Sequence, residues 1–387
     1  FFGDGANIVC SSGVGGGSHV YGGLHAFPLQ DDYWESRADG VDGAVMQPHY
    51  EAIRALLASR IPDNIHNDLH WQEGVQAFVC VDHQKTPTWG YRPHTDFSRE
   101  GSFGSPNGNK ITLDAACLLP ALQHGLHVKA NHEVLLLRRI NDGRFEVTAR
   151  NSESGQWVTL QAARVIVAAG TLNTVSLLLR SRAAGALSGM PTLGQGFGTN
   201  ADVMAWWPVN TAGANYPAAG VYQHLFHHRD DTQGPLFMQA GISGLDAIPM
   251  PQMVRRRLQQ DLFIAAMGMD AADGTITLEQ GRVCVRYCHQ HSAVFERITG
   301  HLVSIAAQGG QKLYAPGTPS TVHPLGGARL GTSVQNSVVN GRGEVHDIPG
   351  LYITDASALP AAPGSPPSLT IGAWARHVAA GILDNEA

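Results

Sequence analysis

Cysteine is scarce in this chain of 387 residues, which contains only five. An odd number spread over such a length does not indicate a scaffold held by disulfides. Cys284 and Cys288 stand beside His289 and His291, a cluster that suggests a metal site. However, the segment alternates like a strand that would place both cysteines on one face, and no second pair follows at zinc spacing. A structural role is favoured, and no metal site is predicted.

Charged side chains and long apolar runs are also few. Charged residues make up 15% of the chain, the net charge is −6, and only four of the 26 basic residues are lysines. Without a basic stripe, nucleic acid is not an expected partner. Without a run of 18 apolar residues, no transmembrane segment is expected. No signal peptide is visible at the start, so we expect a soluble protein whose compartment stays open.

The periodic segments predict a mixed α/β fold. Helical spacing of apolar residues is present at 47–60, 113–123, 172–183 and 367–383. Strand-like patterns are present at 126–129, 133–139, 143–150, 164–170, 203–209, 236–242, 281–288 and 350–355. The Asn-Asp-Gly at 141–143 is a strong hairpin signal. Strand–helix units near both ends, with a β-rich middle, indicate an α/β domain interrupted by a second domain.

A glycine-rich loop at residues 13–18 nearly matches the dinucleotide-binding fingerprint. It departs from that fingerprint because Ser18 stands at the third glycine position and no acidic residue ends a strand about 20 residues later. Consecutive glycines let backbone N–H groups approach an anion closely, which favours a cofactor cradle. A flexible turn is the alternative interpretation.

Residues 14–24 (VGGGSHVYGGL) resemble the first signature of the glucose–methanol–choline (GMC) family of flavin-dependent oxidoreductases. Further segments resemble this family in the same order along the chain: 168–178 (AAGTLNTVSLL), 194–200 (GQGFGTN), 322–327 (VHPLGG), 351–357 (LYITDAS) and 367–371 (PSLTI). The resemblance covers nearly all of the chain. The His-Pro-Leu-Gly-Gly form points to the cholesterol oxidase branch.

The resemblance implies a Rossmann-like FAD-binding domain interleaved with a β-sheet substrate-binding domain. The FAD part is expected at 1–40, 108–200 and 320–387, and the substrate part at 41–107 and 201–319. In the family, a strand–turn–helix that holds the ADP half of FAD precedes the first signature, and we expect it to be missing here. The expected cofactor contacts are Gly13, Gly15, Gly16, Gly17, Ser18, Tyr21, Gly22, Val134, Ala169, Gly170, Asp355 and Pro367.

The same resemblance makes His323 the expected catalytic histidine. Histidine suits proton transfer near neutral pH because its pKa lies close to that range. The family places Asn or His beside the final Pro-x-Leu-Thr-Ile segment, whereas this chain has Pro366, so the Ser365 hydroxyl is predicted to assist instead. Gln239 stands where the cholesterol oxidase branch has a glutamate base, so no coupled isomerisation is expected. Covalent attachment of flavin through His19 is not expected.

Two functions are compatible with these motifs. The first is FAD-dependent oxidation of a hydrophobic, sterol-like alcohol by hydride transfer, with a separate N-terminal segment or chain completing the FAD site. The second is a flavin-free remnant that acts as a non-redox enzyme or binding protein with the family's hydrophobic pocket. The identity of the alcohol, the electron acceptor and the oligomeric state stay open.

Overall fold

The computed structural model describes residues 1–60, 78–80, 88–95, 100, 105–208, 225–240, 245, 249–308 and 312–384. Within these ranges the chain forms a mixed fold of α-helices and small β-sheets, which confirms the predicted α/β class.

The helices are α1 (Gly43–Leu56), α2 (Leu119–Leu122), α3 (Thr171–Ala183), α4 (Gln252–Gln260), α5 (Ala293–Gln308) and α6 (Ser368–Asp384). The strands are β1 (Asn7–Ile8), β2 (Leu24–His25), β3 (Phe78–Cys80), β4 (Thr88–Trp89), β5 (His132–Arg139), β6 (Phe145–Asn151), β7 (Trp157–Ala162), β8 (Val165–Val167), β9 (Gln195–Phe197), β10 (Val203–Trp207), β11 (Phe226–His228), β12 (Leu236–Ala240), β13 (Leu262–Met267), β14 (Gly274–Glu279), β15 (Arg282–Arg286), β16 (Ser320–Thr321) and β17 (Leu351–Ile353).

These strands pair into one larger sheet and several small ones. The five-stranded antiparallel sheet has the order β10-β13-β12-β11-β3. β5, β6 and β7 form an antiparallel meander, and β15, β14 and β9 form a second three-stranded sheet. Two short parallel pairs, β1 with β16 and β8 with β17, join segments that are far apart in sequence. β2 pairs with β4.

The hairpin at 141–143 is confirmed. β5 and β6 pair in antiparallel register from Arg139–Phe145 to His132–Asn151. Gly143 has a φ of 82°, a left-handed conformation that glycine adopts without steric cost, and the Asp142 side chain accepts a hydrogen bond from the Arg144 N–H at 3.0 Å.

Three predicted elements differ from the structure. Residues 126–129 form no strand. The helix expected at 113–123 is a π-helical turn at Asp114–Leu118 followed by the single turn of α2. The predicted buried strand at 164–170 is shortened to β8, and Ile166 at its centre is 51% exposed. The leucines of the first two segments are mostly exposed, whereas β8 has the buried Val167 beside the exposed Ile166.

The predicted strand at 281–288 is also shorter, because β15 ends at Arg286. Cys288 lies beyond the strand, at the start of a short 3₁₀ turn at His289–His291, so the expectation that both cysteines share one strand face is wrong. Among the residues with described positions, no three His, Cys, Asp or Glu side chains are grouped as a metal site would require.

The core contains helix packing that crosses the predicted domain boundary. Tyr50 on α1 donates a hydrogen bond to Thr370 Oγ1 on α6 at 3.2 Å, and both side chains are buried. Trp34, which precedes α1, stacks on Trp374 of α6, with ring centroids 6.1 Å apart. α1 was expected in the substrate part and α6 in the FAD part. The domain boundaries stay a prediction.

Two glycine segments cross at the centre of the molecule. Gly194 N–H donates to Gly327 O at 2.7 Å, and Gly198 and Leu325 exchange two hydrogen bonds of 3.0 and 3.1 Å. A Cβ atom at Gly326, whose φ is 78°, would lie 2.0 Å from Gly196 O. Only glycine allows this close approach of two backbones.

Replacing Gly326 with Ala tests this crossing, with Gly281→Ala as the matched control. Both glycines have a φ of 78°, but a Cβ at Gly281 meets open space. We expect Gly281→Ala to lower the free energy of unfolding by about 1–2 kcal/mol, the cost of a left-handed alanine. Gly326→Ala should lose about 1–3 kcal/mol more through overpacking against the backbone. Urea unfolding measures both, and equal losses would contradict the close approach.

Candidate functional site

The parallel strands β8 and β17 end side by side, and their carboxyl ends begin the candidate site. The Gly170 turn follows β8, and Asp355 follows β17. The Asp355 carboxylate accepts hydrogen bonds from Gly170 N–H at 2.9 Å and from Ser357 N–H at 2.9 Å, and it also contacts the hydroxyl of Thr174 on α3. Burial raises the pKa of Asp355. The side chain therefore holds the turn between β8 and α3 in place.

His323 is brought to the same region by two contacts. β1 pairs in parallel with β16, and Val9 N–H donates to Thr321 O at 2.9 Å. The glycine loop begins four residues after Val9, so it starts beside the segment that carries His323. On the other side, the Thr171 hydroxyl donates to Pro324 O at 2.7 Å. The segment that carries His323 therefore contacts the residues just before the glycine loop on one side and the first residue of α3 on the other.

The imidazole of His323 is paired with a carboxylate. His323 Nδ1 lies 2.9 Å from Oδ1 and 2.9 Å from Oδ2 of Asp202. The side chain of Asp202 is 9% exposed and that of His323 is 23% exposed. In the part of the chain that the structure describes, no hydrogen-bond partner is recorded for Nε2 of His323.

A turn in an uncommon backbone conformation delivers Asp202 to this position. Asn200 and Ala201 have φ values of 55° and 47°, and both are fully buried. A left-handed alanine is rare outside positions that the surrounding structure enforces. The Asn200 side chain holds the turn in this conformation, because it accepts a hydrogen bond from Gly364 N–H at 2.9 Å and donates one to Ser365 O at 3.0 Å. These two hydrogen bonds connect the turn that carries Asp202 to the loop at residues 364–365.

Several glycines of the glycine loop and of the Gly170 turn face open space. Cβ atoms built at Gly13, Gly16, Gly17 and Gly170 would meet no heavy atom within 4 Å. Gly16 and Gly170 have φ values of 59° and 79°, which strongly favour glycine. This arrangement fits a cofactor that approaches the backbone at both turns.

Other residues of the predicted cofactor set face the protein itself. A Cβ at Gly15 would lie 2.6 Å from His19 Nε2, which also lies 3.2 Å from Asp114 Oδ1. The Ser18 hydroxyl donates to Gly15 O at 2.7 Å and accepts from Leu113 N–H at 2.9 Å. These side chains shape the loop, and their role in cofactor contact stays a prediction.

Tyr21 also turns towards the protein interior. Its hydroxyl donates to Ile111 O at 2.7 Å, and burial raises its pKa well above the usual value. The Lys110 ammonium lies 5.7 Å from the Tyr21 ring centroid, and burial lowers the pKa of Lys110 to about 8. Tyr21 therefore supports the glycine loop from the protein side, and its hydroxyl is hydrogen-bonded to the protein.

The Ser365 hydroxyl is engaged as well. It is 1% exposed and donates its proton to Phe27 O at 2.7 Å. A hydroxyl has a single proton, so Ser365 keeps only acceptor capacity for any other partner. The geometry does not favour the predicted assistance to His323.

The remaining predicted cofactor contacts, Pro367, Gly22, Val134 and Ala169, lie on separate elements of the fold. Pro366 and Pro367 are buried just before α6, and Pro367 O accepts from Ile371 N–H at 2.9 Å. Gly22 O accepts from the Tyr91 hydroxyl at 3.3 Å. Val134 lies on β5 and is 37% exposed. Ala169 N–H donates to Thr174 Oγ1 at 3.1 Å.

Sequence reasoning missed Asp202 and assigned no role to Asn200. Asn200 ends the segment 194–200 that resembles the GMC family, and Asp202 follows it, but a lone carboxylate there carries no signal of its own. Only the fold brings Asp202 to a histidine 121 residues away. Gln239, at the glutamate position of the resemblance, lies on β12 in register with Ile264.

Comparisons with known proteins agree with this geometry. The sequence model of the GMC oxidoreductase family matches residues 291–375, which include His323 and Asp355. A cholesterol oxidase of Mycobacterium tuberculosis strain H37Rv is 26% identical over an alignment of 457 residues that covers 96% of this chain and 78% of that protein. A cholesterol oxidase of Acinetobacter baumannii is 25% identical, covering 96% of this chain and 80% of the relative.

Solved structures share the fold at low identity. A fungal aryl-alcohol oxidase superimposes with a TM-score of 0.61 and 15% identity, covering 96% of this chain and 86% of its own. A pyridoxine 4-oxidase from Mesorbium loti has a TM-score of 0.55 and 17% identity over 78% of this chain, and the match spans 64% of that oxidase.

The chain is therefore similar to oxidoreductases of the GMC family over residues 291–375 and, over most of its length, to cholesterol oxidases.

Proposed function

We propose that this protein oxidises a hydrophobic secondary alcohol to the carbonyl compound with bound FAD. One observation carries the proposal: a histidine whose Nδ1 is held by a carboxylate lies on a segment that contacts the chain next to the glycine loop and next to the Gly170 turn, and both turns have accessible backbones. Such a group can bind a hydroxyl and take its proton, and the open turns can hold the redox cofactor. The names of the curated relatives favour a sterol-like alcohol.

The residues present fit a flavin nucleotide at the two turns. Gly13, Gly16, Gly17 and Gly170 would hold it, because their backbones are accessible and a side chain at any of them would enter the open space. Bound flavin would accept the hydride that leaves the carbinol carbon. The role of Asp355 is to keep the Gly170 turn in shape through its hydrogen bonds to Gly170 and Thr174.

His323 acts on the hydroxyl of the substrate. Its Nε2 is free of recorded protein partners in the described residues and can accept the hydroxyl proton, while Nδ1 stays bonded to Asp202. Pro366, at the position where the family resemblance expects Asn or His, has neither a polar side chain nor an N–H to offer. His323 therefore carries the proton transfer without a partner from that position.

A further polypeptide segment is proposed to complete the FAD site. β8 bonds to β17 on one edge, and no described residue pairs with its other edge. Parallel sheets are normally covered on both faces, yet Ile166 of β8 is 51% exposed. A strand–helix segment, on this polypeptide or on a separate one, would pair with this edge and cover Ile166.

Hydrogen exchange at the backbone amide of Ile166 tests that completion. This amide should exchange rapidly in the chain described here, because no described residue bonds to that edge of β8. Strong protection of Ile166, equal to that of its neighbour Val167, would contradict an open edge.

A flavin-free binding protein is the second candidate function. The observations that favour it are Pro366 and the engaged hydroxyl of Ser365, which leave His323 with no second polar group from the 365–366 segment. The two candidates differ in cofactor content, so the following variant separates them.

Replacing Gly17 with Val tests the cofactor cradle. Gly17 does not require a left-handed conformation and faces open space, so the valine is compatible with the fold. In a flavin-loaded protein its side chain would overlap the cofactor. A loss of about 1–3 kcal/mol through overpacking corresponds to about 5–150-fold weaker flavin retention, measured from the ratio of visible to ultraviolet absorbance.

The matched control for the cradle is Gly317→Val. Gly317 lies in an exposed loop and also faces open space, so retention should equal that of the parent protein. Equal flavin content in Gly17→Val and Gly317→Val would count against the cradle.

Replacing His323 with Ala tests the catalytic role. General acid–base assistance contributes about 10²–10⁴-fold in rate, so turnover of a panel of hydrophobic secondary alcohols should fall by that factor while flavin content persists. His124→Ala, at an exposed histidine in a turn, provides the control and should turn over like the parent. Parental rates in His323→Ala would refute the role of this histidine.

A further inference from the structure

Asp202 is the only carboxylate whose contact with His323 the structure records. Its two oxygens lie at equal distances of 2.9 Å from Nδ1, and no described Arg or Lys side chain forms an ion pair with it. An ionised carboxylate can only accept hydrogen bonds, so the ring nitrogen that faces it must be the one that carries a proton. The buried negative charge of Asp202 is thus directed at one imidazole.

The backbone around His323 determines which oxygen of the Asp202 carboxylate must accept a hydrogen bond. Asp202 Oδ2 accepts from Val322 N–H at 3.1 Å and lies 2.7 Å from Thr321 Oγ1. Because a backbone N–H can only donate, the atom at the Oδ2 position must be an acceptor. Oδ1 has no recorded backbone donor, and its recorded partner is His323 Nδ1, which lies at the same distance from Oδ2.

Two further features fix the positions of His323 and Asp202 relative to each other. His323 N–H donates to Thr321 Oγ1 at 2.8 Å, which anchors the backbone of the histidine to the residue that touches Asp202. On the other side, the left-handed turn at Asn200 and Ala201 aims Asp202 at the ring. Neither partner has to reorganise for the pair to form.

We propose that Asp202 is the positioning residue of this site: it holds His323 in the tautomer with the proton on Nδ1 and leaves Nε2 as the proton acceptor for the substrate hydroxyl. The tautomer is a property of the protein alone, whereas its use on an alcohol rests on the proposed function. When Nε2 takes the hydroxyl proton, the imidazolium that results is stabilised by the adjacent carboxylate, as in other His–Asp pairs.

Replacing Asp202 with Asn is the informative substitution, because its outcome follows from the contacts. Val322 N–H requires the amide oxygen at the Oδ2 position, which places the NH₂ group opposite His323 Nδ1. Nδ1 lies 2.9 Å from both positions, so a proton on Nδ1 would face an N–H of the new amide. Repulsion between these two donors favours donation from the amide to Nδ1, with the ring proton on Nε2. The size and shape of the side chain are unchanged, so the variant should fold.

The primary readout is the ¹⁵N spectrum of the histidine rings, recorded at increasing pH until the His323 signals no longer shift, so that the neutral tautomers are compared. The His323 signals are assigned by their absence in His323→Ala. We expect Nδ1–H in the parent protein and Nε2–H in Asp202→Asn. Turnover of hydrophobic alcohols by Asp202→Asn should fall by about 10²–10⁴-fold through kcat, with flavin content unchanged.

Thr321→Val is the control for a purely structural effect. It removes the hydroxyl that contacts the same carboxylate and the His323 backbone, but it leaves Nδ1 facing Asp202. The His323 tautomer should match that of the parent protein.

The proposal is overturned by Nε2–H in the parent protein, by Nδ1–H in Asp202→Asn, or by an inverted tautomer with parental turnover. A parent protein that shows the expected tautomers but oxidises no alcohol would contradict the proposed function while supporting the assignment of Asp202.

Discussion

The crossing of two glycine segments is the constraint on which the candidate site depends. Residues 194–198 and 325–327 approach so closely that their backbones hydrogen-bond directly, and Gly326 leaves no room for a Cβ atom. Asp202 lies four residues beyond the first segment, and His323 lies two residues before the second. The distance between the carboxylate and the imidazole is therefore set by backbone packing, not by flexible side chains.

A second constraint operates at the carboxyl ends of β8 and β17. Ligands of parallel α/β sheets bind outside these ends, where turns leave backbone N–H groups accessible. Here the buried Asp355 holds the Gly170 turn open, and the pairing of β1 with β16 brings the start of the glycine loop beside the His323 segment. Two short parallel pairs thus assemble residues that are 313 positions apart (Asn7 and Ser320) and 186 positions apart (Val165 and Leu351).

Local patterns in the sequence were sufficient to predict α3, α6, β17 and the hairpin at 141–143, because periodicity and turn chemistry determine such elements nearby. The glycine loop stands out by its own composition, whereas the resemblance to the GMC family points to His323. The pairing with Asp202 could not be predicted, since it depends on a tertiary crossing. For the same reason the sequence predicts that the Ser365 hydroxyl assists His323, whereas in the structure this hydroxyl donates to Phe27 O, 338 residues away in sequence. The apolar spacing at 113–123 was misleading because exposed and buried leucines form the same pattern.

The most direct test of the account is anaerobic visible spectroscopy of the purified protein before and after addition of a 3β-hydroxysterol or another hydrophobic secondary alcohol. We expect a flavin spectrum that loses its absorbance near ~450 nm when the alcohol is added, because hydride transfer reduces the cofactor. A yellow protein that no such alcohol bleaches, or a colourless protein, would contradict the proposed oxidation.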